Sequence, residues 1–438
     1  MNKITSLFSV LVLCFCFTHN AKAQVSTSNY EQPSCVSPQN ANHLGKVTPD
    51  NLHFVSYHPH QNKNELILTE ISNPANSQKI ILPNRFSAND MFILFDWVYI
   101  CGAYNGIAAI AKLRLVDFNN TYPQIYISTF QEPEAFTKFE IYTDESGEKH
   151  IAAVGHINTS NDNTTYVYDT YLLTMTETND TINYNLHRYT GGGKRLYHDV
   201  AVTNNYIVAA GLPNMTNYLG ITVVDKTVPN IFNHVYYNES STTINSTYVD
   251  VETLTGDLVA ITTVCISPNN DLFTRVYIFD AATSTILYSQ DVPLPEKYDV
   301  IEMEYLNDTA HTLLLLQENY YPIGDENSLF YFIRPFNTSS YNTSFFYNPD
   351  SKYYSLDHFN DGKFLATGEL KTGGHAYMIG LKDPNTIPNC TTVEPVKIDI
   401  NDVLDYYIYP VYSNPHQTLY FPVTVYSVQT SIKNTCSD

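Results

Sequence analysis

The chain has 438 residues, of which 43% are hydrophobic and 13% aromatic, with 36 tyrosines; so apolar a composition excludes a disordered chain. Its formal charge is −21, which excludes nucleic acid and anionic membrane surfaces as expected partners, because neutralising phosphates takes a basic face.

Taken in chain order, residues 1–23 read as a signal peptide: Lys3 supplies the positive start, Leu7 to Phe17 the apolar core, and Ala21-Lys22-Ala23 the cleavage site before Gln24. The apolar stretch is too short to span a bilayer, and Leu13 before Cys14 is too bulky for a lipoprotein cleavage site. The expected product is therefore exported without membrane insertion: secreted, periplasmic or at the cell surface. Its 24–438 remainder is read as a single domain. Removing Lys3 and Lys22 leaves a formal charge of 21 − 44 = −23.

Strand-like runs follow at once: His53–Tyr57, Glu65–Ile71 and Lys79–Leu82. From there an acidic residue recurs at the start of an apolar run, at Asp90, Glu140, Asp199, Asp250, Asp299, Asp357 and Asp405, with spacings of 50, 59, 51, 49, 58 and 48 residues. A second column closes the next apolar run with glycine at Gly102, Gly155, Gly211 and Gly368. Each period divides into four strand-like stretches separated by Asn-, Pro- and Gly-rich turns, for example His198–Thr203, Tyr206–Gly211, Leu219–Asp225 and Ile231–Tyr237. β-Branched and aromatic residues dominate, and no run carries a helical apolar period.

A four-stranded unit repeated at about 50 residues predicts an all-β, seven-bladed β-propeller, with one blade closed by both chain ends. Tandem β-sandwiches are the alternative, and the near-constant period disfavours them. On this period and strand pattern the chain resembles secreted β-propeller proteins of bacterial type over nearly all of its length after residue 23; no specific family motif accompanies the resemblance. The single tryptophan, Trp97, rules out one Trp-Asp signature per blade.

In such a ring the acidic starts would converge on one mouth of the channel. They read first as a structural acidic column, each carboxylate accepting N–H bonds from the next blade, and second as a cation site or polar-ligand funnel. The candidate ligand-binding residues sit around the loops of that face: Tyr104 and Asn105, Tyr218, Tyr320, and the run Thr190-Gly-Gly-Gly-Lys194-Arg195-Leu-Tyr197-His198. Tyrosine faces and amides suit a glycan or a protein partner, and Lys194 with Arg195 suits a carboxylate or sulfate.

His58-Pro-His60 offers two nitrogen ligands with no others at zinc spacing and reads as an exposed loop, so no metal site is predicted. No cofactor is predicted either; the oxygen-rich turns leave calcium as a candidate ion, although none matches an EF-hand. Cys101 and Cys265 lie in apolar runs and read as buried thiols, whereas Cys35, Cys390 and Cys436 allow one disulfide of undetermined pairing. The function expected is a non-enzymatic binding or scaffold protein with a glycan or protein ligand at the loop-rich face. The alternative is a polysaccharide-acting hydrolase or lyase using carboxylates at the channel mouth.

Overall fold

The computed structural model describes residues 26–31 and most of 43–381, with breaks at loops, chiefly 128–134, 159–167, 190–194, 320–327 and 334–344. Beyond residue 381 it describes only 396–397, 418–420, 426–428 and 433–434. Every element among the described residues is a β-strand. No helix among them is long and apolar enough to cross a membrane.

The strands fall into seven sheets, numbered here by their first strands. Sheet 1 holds Leu44–Val47 as its channel-side strand, sheet 2 Phe86–Leu94, sheet 3 Ala135–Thr143, sheet 4 Arg195–Val202, sheet 5 Asp250–Thr253 (preceded on the same edge by the short strand Thr243–Ile244), sheet 6 Tyr298–Tyr305 and sheet 7 Ser351–His358; these are called the first strands below. Within each sheet the successive long strands pair antiparallel. Residues 44–82 supply four strands of sheet 1, to which Tyr426–Val428 adds, and in sheet 7 Ser26–Glu31 pairs with His375–Leu381.

First strands pack against one another in order around the series, and that of sheet 7 packs back against that of sheet 1. Among the described residues no single central core forms as a consequence. Separate apolar clusters fill the spaces between sheets 1 and 2 (Tyr57, Leu66, Ile100, Leu113), 2 and 3 (Tyr99, Ile110, Phe136, Ile151) and 4 and 5 (Val208, Ile221, Ile261, Phe279). Smaller clusters join 3 to 4, 5 to 6 and 7 to 1. Because a middle strand is covered on both faces, it reads as a continuous apolar run rather than an alternating one. Trp97–Tyr104 is buried at every position after Trp97. Each fully buried Phe, such as Phe54, Phe86, Phe136 and Phe279, contributes about 1.5–3 kcal/mol through removal from water. All-β packing of sheets around a ring is the propeller type of architecture.

The glycine column belongs to the same device as the acidic one. In sheets 2, 3, 4 and 7 the first strand carries a bulge, at Asn89, Thr137, His198 and Tyr354. The residue before each bulge pairs with the glycine: Ala88 with Gly102, Phe136 with Gly155, Tyr197 with Gly211 and Tyr353 with Gly368. At Gly102 an added Cβ would collide with the Ser87 carbonyl oxygen, and at Gly368 with that of Lys352. The bulge presses one backbone onto the other, and only glycine leaves room.

One feature differs from the sequence reading. His58 does not sit in an exposed loop: it lies in the strand His53–His60, is buried, and places Nδ1 3.1 Å from Nδ1 of His43 and Nε2 2.8 Å from Ser56 Oγ. Pro59 is tolerated there because it falls beyond Tyr57, where pairing with the first strand ends. Cys101 and Cys265 are buried free thiols, while Cys35, Cys390 and Cys436 lie outside the described residues.

Candidate functional site: an acidic channel

Side chains that alternate along the first strands face the space these strands enclose, a cavity of about 350 Å³. The bulges set which residues those are. Asp90, Lys138, Asp199 and Glu302 each follow a bulge directly, and Asp250 comes from the unbulged strand of sheet 5. Two residues farther along the same strands come Glu140, Glu252 and Glu304, joined by Asp357 and by Lys46 of sheet 1. His358 lies at the edge. Eight carboxyl groups thus face two lysines and one histidine.

Four of the carboxylates pin one sheet to the next. Asp90 Oδ2 accepts the Phe139 amide at 3.2 Å, Asp199 Oδ2 the Val251 amide at 2.7 Å, Glu302 Oε2 the Leu356 amide at 2.8 Å, and Asp357 Oδ2 the Val47 amide at 2.5 Å. Asp90 and Asp199 also cap their own strands, accepting the amides of Met91 and Val200 with Oδ1. Ser355 takes the corresponding place in sheet 7, its hydroxyl accepting the Gly45 amide at 3.2 Å. Sheet edges that would otherwise leave buried N–H groups unsatisfied are closed in this way.

The lysines neutralise one part of the channel. Lys138 Nζ lies 3.9 Å from Asp90 and 3.6 Å from Glu302, and Lys46 Nζ 3.9 Å from Glu304 and 3.7 Å from Asp357. Burial disfavours charge on Lys46, yet the surrounding carboxylates outweigh it and hold the ammonium well above its usual range. For Glu304 burial is likewise outweighed, by Lys46 and by a 2.6 Å bond from His358 Nδ1, so this carboxyl stays below the usual range. The same bond keeps His358 protonated more readily than a free histidine.

For the other channel acids burial prevails: it raises Asp90, Glu302 and Asp357 despite the lysines beside them. Burial, then the Asp90 charge, pushes the Glu140 carboxyl up to about 8. Burial and the adjacent Asp199 raise Asp250 well above the carboxylate range, and burial with Glu304 and Glu140 does the same to Glu252. Desolvation and like charge act together here. Glu304, Asp357 and His358 bring three ligand atoms within 4.8 Å of one another, as do Asp144, Glu148 and His150 in an exposed turn.

The structure distributes the sequence candidates unevenly. Asp90, Glu140, Asp199, Asp250 and Asp357 all line the channel. Asp299 lies upstream of the sheet 6 bulge, paired with Glu318, and the described channel residues of that sheet are Glu302 and Glu304. Asp405 lies outside the described residues, as do Lys194 and Tyr320. Arg195 begins the first strand of sheet 4 opposite Pro213, and Tyr218 begins its third opposite Asn238. Tyr197 is buried between sheets 3 and 4, its hydroxyl 2.5 Å from Thr222 Oγ1, and Tyr104 is buried between sheets 1 and 2. Both are therefore packing residues and not part of a loop surface. Asn105 is exposed, holds a left-handed turn at φ 54° and accepts a bond from Arg85 at 3.2 Å. His198, the bulge residue of sheet 4, is half-buried, and burial lowers its pKa to about 4.

Lys46, Lys138, Glu252, Glu302 and Glu304 escaped the sequence reading. The signal was present as the alternating pairs Lys138/Glu140, Asp250/Glu252 and Glu302/Glu304, which period-two patterning places on one side of a strand.

No family model matches the chain, and no curated protein matches it. Among solved structures it is similar to an oligogalacturonate lyase in complex with manganese (9% identity, TM-score 0.48, covering 82% of this chain and 98% of that one) and to the Dos1 propeller (10%, 0.47, 82% and 95%). It is also similar to TolB from Acinetobacter baumannii (11%, 0.35, 62% and 64%). At TM-scores below 0.5 these likenesses carry no argument about ligand or activity, and the propeller-type architecture rests on the sheet packing described above.

Proposed function

We propose that this is an exported, non-enzymatic binding protein, a seven-bladed propeller whose channel and loop-rich face receive a ligand rich in hydrogen-bond donors or positive charge. The observation that carries the reading is the excess of eight carboxyl groups over Lys46, Lys138 and His358 in one cavity. Ionised carboxylates only accept hydrogen bonds, so the complementary ligand brings hydroxyls, ammonium groups or cations. A glycan or a basic segment of a protein partner meets that requirement. Seven sheets and the packing of sheet 7 against sheet 1 support seven blades closed as a ring. The strand Ser26–Glu31 would complete the last blade from the opposite end of the chain.

Melting temperature measured against a panel of neutral oligosaccharides and basic peptides tests the reading. A ligand at a hundred times its dissociation constant adds about 2.7 kcal/mol to stability, so a binder raises the transition visibly. If no ligand that brings donors or positive charge shifts it, the reading fails.

One observation favours a second reading, the hydrolase or lyase. A carboxyl near 8, as at Glu140, holds its proton at neutral pH, as a general acid must. Under that reading Glu140→Gln abolishes turnover of whichever saccharide binds, and retained turnover eliminates it.

A further inference from the structure

Asp250 stands apart from the other channel acids. Its side chain is 3% exposed, it lines the cavity, and its Oδ2 has no hydrogen-bond partner. A buried acceptor left in this state costs stability unless something fills the vacancy in its bonding. The carboxyl it touches is that of Asp199, whose own oxygens already accept the Val200 and Val251 amides. Two touching carboxyls need a positive particle between them, either a proton or a metal ion. Glu252 projects into the same cavity two residues later on the same strand. The charge of Lys138 reaches Asp250 and that of Lys46 reaches Glu252 and Glu140, but burial outweighs it in each case. Lys138 is engaged by Asp90 and Glu302, and Lys46 by Glu304 and Asp357.

We propose that the channel holds a hard divalent cation at Asp250 and Glu252, with Asp199 and Glu140 completing its oxygen-lined wall. The inference rests on the reading of the channel as a site for positively charged ligands, and it names the ligand. An all-oxygen carboxylate set suits calcium or magnesium rather than a softer metal. A divalent ion also offsets two of the charges that the lysines leave uncompensated. Where a proton sits between Asp199 and Asp250, its O–H bond breaks on metal binding, the proton leaves to solvent, and the freed oxygen contacts the metal.

The test is calorimetric titration of the chelator-treated full chain with calcium chloride, magnesium chloride and, separately, spermidine. The proposal expects saturable uptake of one divalent ion. Asp250→Asn should weaken it at least tenfold, since even an outer-shell change costs about 10–100-fold in metal affinity. The asparagine amide can still donate to Asp199, so the variant is expected to fold, and its melting curve checks that. Should it not fold, Glu252→Gln is the second variant, and it should weaken binding likewise. Unchanged affinity in the folded variant overturns the assignment of the site. Spermidine uptake without metal uptake overturns the metal while leaving the channel a cationic-ligand site. Uptake of neither overturns both.

Discussion

The two sides of the channel use the same residue types for different ends. Around Lys46 and Lys138, the carboxylates of Asp90, Glu302, Glu304 and Asp357 are neutralised, and three of the four also accept an amide from the next sheet. Around Asp250 and Glu252 the lysine charges are outweighed, and burial with like charge raises both well above the usual range. Acid count alone does not distinguish architecture from binding capacity. What distinguishes them is whether each oxygen already has a donor. Asp199 stands at the border, fully bonded itself yet in contact with Asp250.

Breaking the neutralised side should cost most. Lys46→Ala leaves Glu304 and Asp357 facing each other in a largely buried site, and removing one partner of such a group costs on the order of 3 kcal/mol. Denaturant melts at neutral pH should show this loss, and a stability equal to the native chain would show that Lys46 is not structural. Asp199→Ala strands the Val200 and Val251 amides and should cost roughly 1–3 kcal/mol. An unchanged unfolding midpoint would remove the pinning role.

On the other side the sign inverts with pH. Glu140 holds its proton in the folded chain up to about 8, against an ordinary value of 4.5. The folded state therefore binds more protons than the unfolded state between these values, and stability falls as pH rises across that window. Glu140→Gln should flatten part of the decline and stabilise the protein at pH 8; melts in chelator from pH 4.5 to 8.5 measure it, and an unaltered slope would contradict it. The smallest effect is expected for the basic pair read from the sequence as ligand-binding. Replacing Lys194 and Arg195 together with alanine should change the melting stability by no more than about 0.5 kcal/mol, the scale of a charge held in no buried ion pair; a larger loss would make the pair part of the architecture.

Much of this division was legible in the chain. The acidic column falls on six of the seven first strands, and the glycine column on the partners of four, where a bulge forces glycine onto the partner and re-aims the following side chain into the channel. Sheet 1 has no acid to mark it because Lys46 takes that place, and the spacing puts the seventh start at Asp405, outside the described residues. Sheet 6 was misaligned for a related reason. Asp299 keeps the spacing, but the bulge between Val300 and Glu302 hands the channel to Glu302 and Glu304. The neutralising lysines come from non-adjacent sheets: Lys138 of sheet 3 meets Glu302 of sheet 6 only across the ring. Contacts across an enclosed space leave no spacing to read.

The central claim is that carboxylates bonded to the neighbouring sheet hold the ring together while the unbonded ones do not. Hydrogen exchange of the Asp250–Thr253 strand tests it most directly, comparing the native chain with Asp199→Ala and Glu140→Gln. The account predicts faster exchange at Val251 in Asp199→Ala, where its acceptor is gone, and native protection in Glu140→Gln. Equal protection in all three proteins would contradict it.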